Sequence, residues 1–205
     1  MANVAHSTLT TTDLHESKGV AAAAVNTVAI ADGAGSTSFA KLTHSNLTTT
    51  GNPFGGQLFH VSDVKSAGTH GGASSSGSWL TRTLNTSVTN EITSASLASN
   101  QITLPAGTYQ IFAVCVFEAD GIIKARFRNV SDNTTVCASM NGLGGSAAVP
   151  IGQNLPLYTR MTIASSKVFE LQYRVTASIG STGLGRASNF GESEIYSNVL
   201  IWKIA

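Results

Sequence analysis

The sequence predicts an all-β, antiparallel sandwich over residues 57–205, preceded by an extended, mostly irregular segment over residues 1–56. Three observations predict it. Short runs rich in β-branched and aromatic residues recur from residue 57 onward. Gly, Pro, Asn, Asp and Ser separate most of these runs. After residue 57 no apolar pattern holds a helical period for long enough to make a helix. Many short strands with turn signals between them describe a sandwich or a barrel.

The predicted strands are 57–64, 80–89, 101–104, 108–117, 122–130, 134–138, 157–163, 167–176 and 194–204. The turns between them fall at Gly68 to Gly77, Pro105-Ala106-Gly107, Asp120-Gly121, Ser131-Asp132-Asn133, Gly142 to Gly145, Ser165-Ser166 and Gly180 to Gly185. Residues 1–56 read differently. Their one short apolar stretch runs from Val20 to Ile30, and Asn26 and Thr27 interrupt it. Ala21 to Ala24 offer a helix start that Asp32-Gly33-Ala34-Gly35 would end. Such a segment does not bury a core of its own. It holds a near-repeat: His6-Ser7-Thr8-Leu9-Thr10-Thr11-Thr12 returns as His44-Ser45-Asn46-Leu47-Thr48-Thr49-Thr50. This is either chance in a Thr-rich region or two extended segments that each present one Leu anchor, Leu9 and Leu47, to another surface.

Strand faces carry the main functional signal, because successive side chains point to opposite sides of a sheet. In 122–130 one face holds Ile123, Ala125 and Phe127, and the other holds Lys124, Arg126 and Arg128. In 167–176, Phe169, Leu171, Tyr173 and Val175 oppose Glu170, Gln172 and Arg174. Both strands fit a sheet with one side in the core and one in water. Two strands break that rule. In 108–117, Tyr109, Ile111, Ala113, Cys115 and Phe117 lie opposite Phe112, Val114 and Val116. In 194–204, Ile195, Val199 and Ile201 lie opposite Tyr196, Leu200, Trp202 and Ile204. A sandwich has no place for a strand that is apolar on both sides unless something covers it. At about 25 cal/mol per Å² of apolar area, leaving such side chains in water forgoes several kcal/mol per subunit. The expected cover is a second copy of the chain, with the Gly-rich 68–77 loop as the alternative.

Composition bounds the rest. Charged residues are 11% of the chain and its net charge is +1, so no global field draws nucleic acid or an anionic membrane. A hydrophobic fraction of 42% argues against disorder. The first twelve residues lack the basic and apolar regions of a signal peptide, and no run approaches the roughly 20 apolar residues of a membrane span. Synthesis in the cytosol is therefore expected. The two cysteines, Cys115 and Cys137, lie in strand-like runs and read as small buried hydrophobes, with a single bridge as the alternative.

Two resemblances add to this reading. Ile102-Thr103-Leu104-Pro105-Ala106-Gly107-Thr108-Tyr109-Gln110-Ile111-Phe112 resembles a signature of the complement globular-head and tumour-necrosis-factor superfamily, in which Pro-x-Gly-x-Tyr leads into an apolar strand of the trimer-facing sheet. Tyr196 to Ile204 resembles the last strand of that family, on the same sheet. This resemblance covers about residues 57–205. It implies a jelly-roll head and a homotrimer, with Phe112, Val114, Val116, Tyr196, Val199, Leu200 and Trp202 at the interface. Residues 9–20 and 31–36 resemble stretches of tailed-phage virion proteins of the fibre and head-decoration type. That resemblance implies a virion location, after synthesis in the host cytoplasm, and a docking role for Leu9, Asp13, Leu14, His15, Glu16 and Leu47 against a major capsid or tail protein.

No motif for catalysis emerges. The histidines, His6, His15, His44, His60 and His70, form no H-E-x-x-H. C-x-x-C, Gly-x-Ser-x-Gly and phosphate-loop patterns do not occur either. Gly183-Leu184-Gly185 reads as a turn. The acidic pairs Glu118 with Asp120 and Glu192 with Glu194 have the residue types of glycoside hydrolysis, but each sits at a loop edge where charge is ordinary. No enzyme, cofactor or metal is expected. The stripe Lys124, Arg126, Arg128 and Arg174 is the candidate contact for an anionic surface glycan, against the plainer reading of a solvated face. Phe190 is a candidate stacking residue. The functions in competition are a trimeric fibre or decoration protein, a capsid cement protein without a receptor role, and a polysaccharide depolymerase.

Overall fold

The computed structural model describes residues 27–31, 37–41, 56–119, 121–145 and 151–204. The chain divides into two units, Met1–Thr49 and Thr50–Ala205. In the first, β1 (Thr27–Ala31) pairs antiparallel with β2 (Thr37–Lys41), from Thr27 opposite Lys41 to Ala31 opposite Thr37. The sequence reading has no strand here. The signal is the β-branched alternation of Thr27, Val28 and Ile30, which is hard to see inside an Ala-rich run. The helix start considered at Ala21 to Ala24 lies outside the described residues.

The second unit is a two-sheet sandwich. One sheet has the order β12 (Ile151–Ile163), β8 (Gly107–Ala119), β14 (Glu194–Lys203), β3 (Gln57–Lys65), β5 (Thr86–Asn90). The other has the order β10 (Thr134–Ala138), β9 (Ile122–Asn129), β13 (Lys167–Val175), β7 (Gln101–Leu104), β6 (Ser96–Ala98). Two short strands, β11 (Gly142–Leu143) and β4 (Leu80–Thr81), add to β9 and β13. All pairings are antiparallel, and four of them are nested. β3 pairs with β14, β7 with β13, β8 with β12 and β9 with β10. First meets last, inward to the hairpin. That is a jelly roll, a long antiparallel ribbon rolled on itself until its turns stack as two sheets.

Alternation fills the space between the sheets. Ile111, Ala113 and Phe117 from β8 and Val199 and Ile201 from β14 are fully buried. They meet Ile123, Ala125 and Phe127 from β9 and Phe169 and Leu171 from β13. Phe127 and Phe169 stack with centroids 5.3 Å apart, and Phe117 meets Tyr173 at 5.7 Å. The one-sided pattern read in β9 and β13 is thus the observed one.

Three readings need correction. The predicted strand 80–89 is two strands in different sheets, because Arg82 and Leu84 turn inward where the chain crosses the core. β12 begins at Ile151 rather than Leu157, so half its length went unread. A bulge between Ile195 and Ser197 shifts the register of β14, which carries Tyr196 into the interior and leaves Ile195 exposed.

The crossing residue Arg82 has no exposed surface. Its Nε donates to Ser197 Oγ at 2.8 Å. One terminal nitrogen donates to the carbonyls of Val116, Leu184 and Tyr196 at 2.9, 2.6 and 3.1 Å. One side chain so ties β8, β14 and the loop before β14 together. Asp63 is also fully buried, 3.5 Å from the Lys65 ammonium. Burial pushes the Asp63 carboxyl above its usual range, while Lys65 and Arg82 draw it back.

The Pro-x-Gly-x-Tyr stretch is a staple at the entry to β8. The Tyr109 ring is fully buried and its hydroxyl donates to the Pro105 carbonyl at 2.7 Å. Replacing Tyr109 by Phe removes that bond and leaves the ring in place. The expected cost is about 1 kcal/mol, read as a melting temperature lower by a few degrees with the cooperative transition retained.

Candidate functional site

The first candidate is the outer face of the β12-β8-β14-β3-β5 sheet. Positions opposite each other across a ladder share a face, so the pairings map it. One row runs His60, Leu200, Phe112, Tyr158 across β3, β14, β8 and β12. Below it run Leu58, Trp202, Gln110 and Arg160, and above it Ser62, Asn198, Val114 and Pro156. Val116 continues the apolar band along β8. Phe112 is 39% exposed and Tyr158 77%, while Leu58, Val114, Val116, Pro156, Leu200 and Trp202 are half-buried. Gln110, Tyr158, Thr159 and Arg160 also line a shallow depression of about 280 Å³.

Of the residues expected at an interface, Phe112, Val114, Val116, Leu200 and Trp202 stand on this face. Tyr196 and Val199 do not. Both belong to the subunit's own interior, at 3% and 0% exposure, and the Tyr196 hydroxyl donates to the Thr69 carbonyl at 2.7 Å. The bulge is the reason for Tyr196. Val199 already carried inward parity with Ile201. The sequence reading missed Leu58, Pro156 and Tyr158. Pro156 was hidden by the late start given to β12, and Tyr158, inside the predicted strand, lost the outward Asn154, Pro156, Tyr158, Arg160 alternation that was the available signal.

A polar node sits beside this band. Ser62 Oγ donates to Asn198 Oδ1 at 2.6 Å, and His60 Nε2 lies 2.9 Å from the same oxygen. An amide oxygen only accepts, so Nε2 carries the proton. Ser62 is buried through these bonds, although it faces away from the core.

The second candidate is the outer face of the other sheet. Lys124, Arg126 and Arg128 of β9 stand there together with Arg174 of β13. Trp79, just before β4, was not expected to join them. The Arg126 guanidinium lies 4.1 Å from its ring centroid.

Of the acidic pairs, Glu118 and Glu194 are each held by hydrogen bonds. Glu118 is gripped by both Nε and a terminal nitrogen of Arg186, which holds its carboxyl below the usual range. Glu194 accepts the backbone N–H groups of Gly68, Ser188 and Asn189. The Ser188 and Asn189 bonds lead in pulling it down to about 2. A glycosidase acid needs the opposite shift. Asp120 lies outside the described residues. Glu194 instead pins the loop before β14. In that loop Gly185 has φ +123°, and a Cβ there would fall 2.3 Å from the Tyr196 ring. His70 Nδ1 accepts from Ala187 N at 3.0 Å, a further tie to the same loop. Phe190 is 87% exposed at the loop's tip.

Cys115 and Cys137 are both unbridged. Burial pushes the Cys115 thiol up to about 11, and Cys137 is half-buried. Among the described residues, no group of three or more His, Cys, Asp or Glu could hold a metal ion, and no helix is long and apolar enough to cross a membrane. The expected docking residues Leu9, Asp13, Leu14, His15, Glu16 and Leu47 lie outside the described residues.

No protein-family model and no curated protein matches the sequence. Solved structures that match include the globular domain of zebrafish complement 1qA, at 10% identity over 73% of this chain and 98% of that one, with a TM-score of 0.48. Eiger TNF from S. frugiperda matches at 10% identity over 73% of this chain and 94% of that one, with a TM-score of 0.47. Murine APRIL matches at 6% identity over 71% of this chain and 98% of that one, with a TM-score of 0.45.

The Glu194 contacts set a pH dependence. A carboxyl depressed to about 2 in the fold, from 4.5, adds stability that is complete above pH 4.5 and is lost as pH falls toward 2. Glu194→Gln should flatten the loss of stability over that window in acid-unfolding curves. An unchanged slope would mean that the loop contacts do not contribute.

Proposed function

We propose that this chain is a non-enzymatic structural protein of a bacteriophage particle. Residues 57–205 form a head that assembles as a homotrimer. Residues 1–56 hold that head to a major capsid or tail protein and leave it facing the host surface, where it contacts polysaccharide.

The observation that carries the reading is the apolar outer face of the β12-β8-β14-β3 sheet. Phe112, Leu200, Trp202 and Tyr158 there are too extensive a patch to leave in water. A second copy meets the need because the same surface is then removed from water in every subunit. The face calls for copies of the chain. The number three rests on the resemblance to the tumour-necrosis-factor superfamily, and the virion setting on the resemblance of residues 9–20 and 31–36 to phage fibre and decoration proteins. The Glu118 and Glu194 carboxylates, both held ionised, support a structural rather than a hydrolytic head.

Sedimentation equilibrium on the full chain tests the assembly. The wild-type mass is expected to be three subunits. Leu200→Glu buries a charge in the middle of the face and should yield single subunits that keep the β circular-dichroism spectrum. A wild-type chain that sediments as one subunit would overturn the reading. Attachment is tested separately, with Leu14→Asp and Leu47→Asp together. That variant should remain trimeric and no longer co-sediment with particles.

A further inference from the structure

We propose that the outer face of the β10-β9-β13-β4 sheet, centred on Lys124 and Arg174 beside Trp79, binds an acidic polysaccharide through its carboxylates. This rests on the host-surface reading above and names the chemistry of that contact.

The case begins with where positive charge is left unanswered. Among the described residues, Lys65, Lys167 and Arg186 each pair with a carboxylate, and Arg82 is spent inside the core. Arg160 and Lys203 belong to strands of the other sheet. Four further cations, Lys124, Arg126, Arg128 and Arg174, stand together on one face of one sheet. Among the described residues, the largest group of cations without a salt bridge therefore stands on this one face.

Their arrangement singles out two of the four. Arg128 sits opposite Glu170 across the ladder and donates to Asn133. Arg126 is anchored by Gln172 Oε1 at 2.9 Å, by Thr135 Oγ1 at 3.3 Å and by the Trp79 ring. Arg174 and Lys124 face each other directly across β13 and β9. Like charges placed opposite each other destabilise a sheet. The acid of this face, Glu170, is already engaged by Thr81, Gln101 and Gln172. Lys124 Nζ reaches Asn141 Oδ1 at 2.6 Å, a neutral acceptor that leaves the charge in place. The pair thus has a standing cost that an incoming carboxylate removes.

The surroundings favour sugar over other anions. Thr81, Gln172, Thr135 and Asn141 interleave amides and hydroxyls with the cations, which suits the hydroxyls of a glycan. Two open cations and one indole on a flat sheet are few for a nucleic acid, whose binding is driven by neutralising many phosphates.

Affinity electrophoresis of the full chain tests this, with polygalacturonate in the gel, neutral dextran as control, and single-stranded DNA as a second polyanion. Polygalacturonate is expected to retard the wild-type chain and dextran is not. The double variant Lys124→Gln, Arg174→Gln should weaken retardation about tenfold or more. Arg128→Gln and Lys203→Gln should change it by less than about twofold. The proposal falls if no retardation occurs, if Lys203→Gln matches the double variant, or if DNA retards the chain as strongly as polygalacturonate. Sedimentation of the same samples separates this from the assembly reading. Lost binding in an intact trimer sinks only the site, and binding by a single subunit sinks only the trimer.

Discussion

The position of β14 between β3 and β8 is the constraint on which the rest of the molecule depends. As the last strand of the jelly roll, it closes the fold by pairing with the first, and its other ladder joins β8. Its inner side chains, Val199 and Ile201, complete the core, and so that side is obligatory. Its outer side chains, Leu200 and Trp202, face away from that core. With Phe112 and Val114 of β8, they make the centre of the sheet apolar on both sides. An isolated sandwich gains nothing from this. A head that buries the face against copies of itself recovers the hydrophobic free energy that the lone subunit forgoes.

Charge is distributed to agree with that division of labour. The β12-β8-β14-β3 face carries the His60–Ser62–Asn198 node beside its apolar centre. The opposite sheet carries the cluster of Lys124, Arg126, Arg128 and Arg174. Between the two, Arg82 spends its hydrogen bonds on three backbone carbonyls and Ser197. Its burial is costly, and pairing with carbonyl groups offsets the cost only if the geometry is held. The loop before β14 supplies that geometry, with Glu194 capping three of its neighbours' backbone N–H groups and Gly185 passing close beneath Tyr196.

Much of this was legible in the sequence, because a period of two survives wherever a strand is regular. β8, β9 and β13 announced their faces, and the double-sided β8 pointed to the apolar outer face of its sheet. What escaped has physical causes. The bulge at Ile195 to Ser197 inverts the parity of the first residues of β14, so Tyr196 was placed outside when it lies inside. Arg82 looks like a surface residue in a polar run, and nothing local reveals that the chain dives through the core there. β4, β6 and β11 are two or three residues long, below the length at which alternation can be seen. Trp79 reaches Arg126 across a strand distant in sequence, a contact that only the folded sheet creates.

The central claim is that Trp202 is covered by another copy of the chain. It is tested most directly by its own fluorescence. With Trp79 replaced by Phe, Trp202 is the sole tryptophan. Acrylamide quenching of the full-length Trp79→Phe chain, followed across a dilution series, reads the accessibility of that one indole. The account predicts a shielded indole at high concentration that becomes accessible as the chain dissociates on dilution. Quenching that is strong and independent of concentration, in a chain shown to be folded, would contradict it.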